Sequence, residues 1–341
     1  MTTTLRSMRT LATLALIVSA LPNTCAGHQF ELLDEEHLSS LDGAGTALNR
    51  PSSTRFSPSV ESGKVPLVVA HGMGDSCYNP GMKQITQLAG ERLGVYSTCI
   101  GDGEGEVQDT LNGFTTTMLK QVEFFRSKIQ ADPKLQNGFD AMGLSQGNLL
   151  IRAYVHIYND PPVRRFLSLH GPLAGVGAFP RCNPEGLVGR ICRTFSDLVG
   201  DAAYTTVVQN LVAQSNYLKI PDEIDNYLKF NHFLPYLNNE VEHENSALYK
   251  DNFIRLDRLA LVRAAGDTMI FPSESEWFGF FPDGNFKTIL PFNETVAYQK
   301  DAFGLQTLDK AGKLVFLESQ GNHLQFKLDE LFHWLDLYLA N

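Results

Sequence analysis

Positive charge is scarce in this sequence. The chain has 341 residues, of which 28 are lysine or arginine and 38 are aspartate or glutamate, so its formal net charge at pH 7 is −10. Proteins that bind nucleic acid present a basic surface to the phosphate backbone. The acidic excess therefore argues against a nucleic-acid-binding function. Internal repeats at a fixed period are also lacking, which argues against solenoid and propeller architectures.

Long hydrophobic runs are few. Residues 11–21 form an apolar run that is too short to cross a bilayer. The run follows Arg6 and Arg9 and precedes the small residues of "PNTCAG", a pattern typical of a secretory signal peptide. We therefore predict a signal peptide over residues 1–26, with a membrane anchor as the alternative, and no stable membrane span. Asn293, in Asn-Glu-Thr, is a predicted glycosylation acceptor that agrees with the secretory route.

Cysteine is rare, with five residues in the chain. No Cys/His spacing resembles a zinc site, and we expect neither a metal nor a cofactor. Cys25 would leave with the signal peptide, and four cysteines in an oxidising compartment predict two disulfides. Cys182 and Cys192 enclose a short loop and are the easier pair, so Cys77 with Cys99 follows by elimination. Free buried thiols are the alternative.

The mature chain divides into a polar spacer, residues 27–64, and a region in which short apolar runs alternate with longer amphipathic segments, residues 65–341. In the second region, short apolar runs that end in glycine or polar residues suit buried strands of a parallel sheet. Amphipathic segments at 82–93 and 119–129 predict helices between them. The alternation predicts an α/β fold with a mostly parallel sheet. The predicted strands are "VPLVVA", "FDAMGLS", "RRFLSLHG", "LDRLALVRAAGD" and "GKLVFLES".

One segment, residues 172–257, interrupts the alternation because it contains no clear sheet strand. We predict a helical insertion that forms either a lid over a substrate or additional scaffold at the sheet edge. One helical face is predicted to carry Tyr204, Val207, Val208, Leu211 and Val212.

Ser145 lies in Gly143-Leu144-Ser145-Gln146-Gly147, which fits G-x-S-x-G. The pattern alone is weak, but here it stands between a predicted strand and a predicted helix. A strand–serine–helix turn exposes the serine oxygen above the carboxyl end of a sheet. We therefore predict that Ser145 is a nucleophile and that the fold is an α/β-hydrolase.

A serine nucleophile needs a base that is oriented by an acid, in the chain order serine, acid, histidine. Asp267 and His323 satisfy that order, and each follows a predicted strand. Other candidates in the correct order lie in loops, turns or helices rather than at strand exits. They are Asp283, Asp301 and Asp309 for the acid and His333 for the base.

The oxyanion hole of such an enzyme uses two backbone N–H groups. One is predicted to be that of Gln146, which follows the nucleophile. The loop "AHGMGDS" after the first strand supplies the other, for which we predict Met73 because glycines flank it. We interpret His71 as a structural residue of this loop rather than an acid or base.

Several longer stretches carry a more specific signal. They are "PLVVAHGMGDSCYNPGM", "AMGLSQGN", "FPRCNPEGLVGRIC", "ESEWFGFF" and "AGKLVFLESQGNHLQF". With these stretches the chain resembles the palmitoyl-protein thioesterases of the lysosome over residues 65–337. The resemblance implies Ser145, Asp267 and His323 as the triad, Met73 and Gln146 as oxyanion donors, and a disulfide between Cys182 and Cys192.

The resemblance also implies a reaction. It predicts hydrolysis of thioesters in S-acylated proteins or peptides, with the insertion at 172–257 forming a groove for the fatty acyl chain. It further implies a monomer destined for the lysosome or vacuole, or for secretion. The alternatives are an acyl-CoA thioesterase or lipid esterase on the same fold, and a secreted binding protein without activity.

The sequence departs from the family pattern at two positions near the predicted site. Tyr78 stands where we expected a second cysteine next to Cys77, and Asn148 stands where we expected a glycine. Asn148 therefore raises the question of how a larger side chain fits at the start of the helix.

Overall fold

The computed structural model describes residues 64–178 and 202–340. The predicted signal peptide, nearly all of the predicted spacer and the predicted Cys182–Cys192 pair lie outside the described residues. Within them, no helix combines the length and the apolar character that crossing a membrane requires.

A six-stranded parallel sheet forms the centre of the molecule, with the strand order β2-β1-β3-β4-β5-β6. Five of these strands confirm the five apolar runs picked out from the sequence. The sheet also confirms the predicted α/β class. The strands are β1 (Leu67–Ala70), β2 (Ser97–Cys99), β3 (Phe139–Leu144), β4 (Val163–Leu169), β5 (Arg258–Ala264) and β6 (Leu314–Ser319).

Both faces of the sheet are buried, which explains why its strands appear as continuous apolar runs. In β1, Val68 belongs to the hydrophobic cluster on one face, whereas Leu67 and Val69 belong to the cluster on the other. Successive side chains of a strand point to opposite faces. The sheet therefore needs helices on both sides to cover it.

Eleven α-helices surround the sheet within the described residues. The helices expected at 82–93 and 119–129 are confirmed. The helices are α1 (Pro80–Leu93), α2 (Glu106–Thr115), α3 (Met118–Ala131), α4 (Gln146–Ile157), α5 (Thr206–Leu211), α6 (Ile224–Phe230), α7 (Leu234–Leu237), α8 (Ser246–Phe253), α9 (Val296–Gln299), α10 (Leu305–Lys310) and α11 (Leu328–Tyr338).

Short 3₁₀ turns complete the regular structure of the described ranges. They cover Ala213–Tyr217, Pro221–Glu223, Ser273–Trp277 and Phe292–Glu294. The part of the insertion between residues 202 and 257 is built from helices and these turns, and none of its described residues belongs to the sheet.

The prediction of one helical face in the insertion is wrong in part. Helix α5 has only six residues, and Tyr204 precedes it. Val208 and Val212 are buried, but Val207 and Leu211 are 45% and 42% exposed. The helix ends at Val212, whose backbone is extended. The buried side-chain amides of Gln209 and Asn216 donate to main-chain oxygens, which replaces further helical hydrogen bonds. An apolar periodicity in the sequence cannot show that side chains take over these hydrogen bonds.

Candidate active site

Ser145 occupies the turn between β3 and α4, at the carboxyl edge of the sheet. Its φ and ψ are 51° and −122°, a combination that few residues other than glycine adopt. Two backbone hydrogen bonds hold the turn. Ser145 N–H donates to Leu169 O, at the end of β4, at 3.0 Å, and Asn148 N–H donates to Ser145 O at 3.0 Å. The surroundings therefore fix a strained backbone that presents the serine oxygen above the sheet.

The glycines of G-x-S-x-G are explained by close packing at this turn. A Cβ atom on Gly147 would lie 2.3 Å from the backbone oxygen of Ala70. A Cβ atom on Gly143 would lie 2.8 Å from the Cα of Asn148. Because both neighbours are backbone atoms, neither contact could be relieved by a rotamer change. The motif thus allows α4 to pack tightly against β1 and β3.

Asn148 fits at the start of α4 by making hydrogen bonds. Its side chain is fully buried, and Nδ2 donates to Ser145 O at 3.0 Å and to Leu169 O at 2.9 Å. The residue that departs from the family pattern therefore braces the turn that carries Ser145 and does not crowd it.

The structure brings Ser145, His323 and Asp267 together in one chain of hydrogen bonds. Nε2 of His323 lies 2.9 Å from Oγ of Ser145, and Nδ1 lies 2.6 Å from Oδ2 of Asp267. Asp267 follows β5 and His323 follows β6, so three strand exits converge on one point. In this geometry the carboxylate fixes the imidazole tautomer, and Nε2 can accept the serine proton.

Asp267 is held as an anion. Its Oδ1 accepts N–H bonds from Met269 at 2.6 Å and Ile270 at 2.8 Å, and its side chain is fully buried. Burial alone would raise the pKa of this carboxyl, but the hydrogen bond and charge of His323 and the backbone N–H of Ile270 outweigh burial and lower it. The carboxylate therefore remains available to orient His323.

The other candidates for the acid and the base are used elsewhere in the structure. Asp301 accepts hydrogen bonds from Thr307 and pairs with Lys250 at 2.9 Å. Asp309 accepts from the hydroxyl of Tyr298 at 2.6 Å. Asp283 is exposed in a loop, and His333 is exposed on α11.

Of the predicted oxyanion donors, Gln146 follows Ser145 directly and Met73 follows Gly72, on which a Cβ atom would lie 3.0 Å from the Cβ of Ser145. Gln146 is the first residue of α4, so its N–H has no acceptor within the helix. Met73 lies in the turn after β1, next to Gly72 and Gly74. Among the described residues, neither backbone N–H donates to another backbone oxygen. Both are free to bind an anionic oxygen, and the α4 N-terminus also favours negative charge there.

His71 and Asp109 form a buried pair at the base of the Met73 loop. His71 Nδ1 contacts Gly72 O at 2.9 Å and Nε2 contacts Asp109 Oδ1 at 3.3 Å. Both partners are acceptors, so this geometry favours a protonated imidazole paired with the Asp109 carboxylate. Burial lowers the pKa of His71, but the hydrogen bond and charge of Asp109 more than compensate and raise it overall. His71 is thus structural, as the sequence indicated.

Asp109 also holds the rest of this loop, a role that the sequence did not reveal. Its carboxylate accepts from Ser76 Oγ at 2.9 Å, Cys77 N at 2.8 Å and Asp102 N at 2.6 Å. Cys77 is joined in turn to Cys99 by a disulfide whose Cα atoms lie 5.5 Å apart. The loop is therefore fixed at both ends. No sequence signal marks Asp109, because Ser76 and Cys77 lie more than thirty positions away in the chain.

The Gln146 side chain links the nucleophile turn to the insertion. Its Nε2 donates to Gly113 O at 2.9 Å, and its Oε1 accepts from Gln214 Nε2 and from Tyr217 OH, each at 2.9 Å. All of these side chains are buried. The described part of the insertion thus packs beside the nucleophile turn through a buried amide network, which the sequence also did not reveal.

Two groups of residues in the described ranges have the types that could ligate a metal: His71 with Cys77 and Asp109, and His170 with Asp267 and His323. Cys77 is in a disulfide. In the second group, His170 accepts from Leu324 N at 2.8 Å, and Asp267 and His323 bond to each other. We interpret both groups as hydrogen-bonded clusters.

Asn293, the predicted glycosylation acceptor, is exposed on the turn before α9. A glycan at this position would project into solvent.

Comparisons with known proteins identify the family of this chain. Residues 66–323 match the family model described as palmitoyl protein thioesterase. The chain is 37% identical to palmitoyl-protein thioesterase 1 of Caenorhabditis elegans, covering 77% of this chain and 87% of the relative. It is 32% identical to palmitoyl-protein thioesterase 3 of Dictyostelium discoideum, covering 78% and 87%, and 30% identical to the human lysosomal thioesterase PPT2, covering 73% and 78%.

Proposed function

This chain belongs to the palmitoyl protein thioesterase family, and from that premise we propose that it removes long-chain acyl groups from S-acylated cysteines of proteins or peptides. The observation that carries the proposal is the continuous set of hydrogen bonds from Ser145 through His323 to Asp267. We further propose that the three residues are a catalytic triad acting through an acyl-enzyme.

In the first half-reaction, Ser145 Oγ attacks the thioester carbonyl carbon while His323 Nε2 takes the hydroxyl proton. The N–H groups of Met73 and Gln146 bind the oxyanion of the tetrahedral intermediate. The C–S bond then breaks, and the proton on His323 passes to the departing cysteine sulfur. The acyl group remains on Ser145 as an ester.

In the second half-reaction, His323 takes a proton from water, and the resulting nucleophile attacks the acyl-serine carbonyl. Collapse of the second intermediate breaks the ester bond, and His323 returns the proton to Ser145. The products are a fatty acid and a free cysteine. The proposed reaction uses no metal or cofactor.

We propose that the insertion, residues 172–257, provides the surface for the acyl chain within a hydrolase domain that spans residues 65–341. The network that joins Gln146 to Gln214 and Tyr217 supports this location. A signal peptide over residues 1–26, a glycan at Asn293, a monomeric state and delivery to the lysosome or secretion complete the proposal. Several relatives are named as lysosomal thioesterases, which supports this destination.

The test is a series of acyl-S-cysteine peptides with eight to sixteen carbons, each paired with the matching serine ester and assayed below its critical micelle concentration. Burial of one methylene contributes about 0.8 kcal/mol, so kcat/KM should rise by at most about fourfold per carbon and level off where the groove ends. Ser145→Ala is the control and should be inactive in every assay.

Each unexpected result points to another function. Equal rates on thioesters and serine esters would indicate a general esterase. Efficient turnover of acyl-CoA but not of acylated peptides would indicate an acyl-CoA thioesterase. A flat chain-length profile would remove the acyl groove from the proposal.

A further inference from the structure

Glu276 is a fully buried carboxyl group that the proposed mechanism does not yet use. It lies in the 3₁₀ turn Ser273–Trp277, and its exposed fraction is 0%. Its Oε2 accepts the backbone N–H of Ala264 at 2.9 Å. Ala264 is the last residue of β5, three positions before Asp267, so the turn places Glu276 directly behind the acid of the triad.

The carboxyl groups of Glu276 and Asp267 lie close enough for each to shift the pKa of the other, and Oε1 of Glu276 is buried without a hydrogen-bond partner among the described residues. Two carboxylates offer only acceptors, so a hydrogen bond between them requires a proton on one of the groups. Two adjacent anions without a proton would also repel strongly in a buried site. The pair therefore holds one proton, and its location decides how Asp267 acts on His323.

The other hydrogen bonds place that proton on Glu276. Asp267 accepts three N–H groups, from His323, Met269 and Ile270, each of which stabilises its anion. Glu276 accepts one, from Ala264, and its buried Oε1 has no hydrogen-bond partner among the described residues. The anion thus belongs on Asp267, because that residue has the larger number of donors.

The charged groups near Glu276 agree with this assignment. Arg263 is the nearby cation, but it is bound by Glu274 at 3.3 Å and by Glu318 at 2.5 Å, and its guanidinium lies over Trp277. His323 and His170 lie near Asp267, and burial lowers the pKa of His170 to about 3, so it is neutral. Burial first, and then the charge of Asp267, raise the pKa of Glu276.

We propose that Glu276 is a neutral carboxylic acid that donates a hydrogen bond to Asp267 and thereby holds that carboxylate in line with His323. The inference rests on the proposed triad and makes Glu276 a positioning residue, since it acts through Asp267. It also removes a second negative charge from the vicinity of the imidazole. The acid component of the site is thus a carboxylic acid–carboxylate pair.

The test uses Glu276→Gln, which keeps both contacts because its amide oxygen can accept from Ala264 while its NH₂ group donates to Asp267. We expect kcat/KM within about threefold of wild type and an unchanged acid limb of the pH profile. Glu276→Ala should lose about tenfold, since one buried hydrogen bond is missing. Glu274→Gln, on the same turn but facing Arg263, is the matched control and should match wild type.

The opposite result has a clear sign. If Glu276 were an anion, Glu276→Gln would remove a negative charge near His323, destabilise the imidazolium and move the acid limb to lower pH. A move of more than about half a pH unit, or a loss as large as that of Glu276→Ala, would overturn the inference. Near-ultraviolet circular dichroism of each variant separates loss of fold from loss of positioning.

Two measurements keep this inference separate from the proposed function. An infrared difference spectrum of wild type minus Glu276→Gln at pH 7 should contain the C=O stretch of a protonated carboxylic acid, and its absence would overturn the inference. The rate at which a fluorophosphonate labels Ser145 reports the triad without any acyl substrate. Normal labelling and a carboxylic acid band without thioester hydrolysis would reject the proposed function alone.

Discussion

Nε2 of His71 lies 3.3 Å from Oδ1 of Asp109. His71 belongs to the loop after β1 and precedes Met73 by two residues, whereas Asp109 lies on α2. The pair is an imidazolium and a carboxylate in a buried setting. Removal of one partner of such a pair leaves an uncompensated charge, which costs far more than the net stabilisation that the pair provides. The position of the oxyanion loop therefore depends on a protonation state.

Asp109→Asn is expected to lower the free energy of unfolding by about 3 kcal/mol, and most strongly at acidic pH. The pKa of Asp109 is lowered from 3.8, since the hydrogen bond and charge of His71 outweigh burial, so its contribution is present above 3.8 and lost as pH falls through the lowered value. The pKa of His71 is raised from 6.5, so its contribution is present below 6.5 and lost as pH rises through the raised value.

Urea denaturation of wild type and Asp109→Asn at several pH values checks this prediction. The difference should be largest between about pH 4 and 6.5 and should shrink on both sides. The exposed Asp283→Asn is the control for loss of a carboxylate. A difference that grows above pH 7 would show that His71 is neutral and that the pair is wrongly assigned.

Asp267→Asn should reduce kcat by about 10⁴ with little change in KM, because an amide NH₂ facing Nδ1 favours the wrong imidazole tautomer. Steady-state kinetics on an acyl-S-cysteine peptide measure the effect. Asp283→Asn lies in an exposed loop and should behave as wild type. If Asp301→Asn or Asp309→Asn lowers kcat by orders of magnitude and Asp267→Asn does not, the assignment of Asp267 as the acid is wrong.

Tyr217→Phe removes one of the two side-chain hydrogen bonds to Oε1 of Gln146. A missing buried hydrogen bond corresponds to about 1 kcal/mol, so we expect kcat/KM to fall about fivefold through a less fixed Gln146. Tyr204→Phe is the matched control, since that hydroxyl bonds within the insertion, to Leu218 and Ile220. It should lose stability but not activity. Equal kinetic effects in both variants would argue that the network does not reach the site.

Cys77 and Cys99 close a loop with a sequence separation of 22. In the chain-entropy model a disulfide of this size constrains the unfolded state by about 3 kcal/mol, so the Cys77→Ser/Cys99→Ser variant should lose roughly that much stability. Non-reducing peptide mapping should recover the two cysteines in one linked pair, and Cys182 with Cys192 in another. Cross-pairing between the two sets would contradict both assignments.

Much of the catalytic framework was predictable because it depends on local patterns. Five of the six parallel strands contain a short apolar run, and the turn at Ser145 needs glycines that the motif displays. Strand β2 was missed because Ser97–Cys99 has three half-buried residues with no apolar run. The helical face around Tyr204 was wrong because amide side chains, not periodicity, decide where α5 ends.

Residues that support the site from a distance carried no such pattern. The sequence does not show whether a glutamate is exposed to water or buried next to another carboxylate. The role of Glu276 therefore could not be predicted before its burial and its neighbour Asp267 were known. Asp109 likewise accepts hydrogen bonds from two loops, one of which lies more than thirty positions away. The role of such residues depends on tertiary contacts, and a single sequence taken alone does not show those contacts.

The parallel topology also orders events during biosynthesis. Ser145 and His323 are separated by 178 positions, and β6, the last strand to be made, joins the sheet at its edge beside β5. A nascent chain therefore carries its serine long before a base can reach it. Contacts of such high sequence separation form late, because the intervening loop must first be closed. The proposed triad is therefore incomplete until β6 and the residues that follow it have been made.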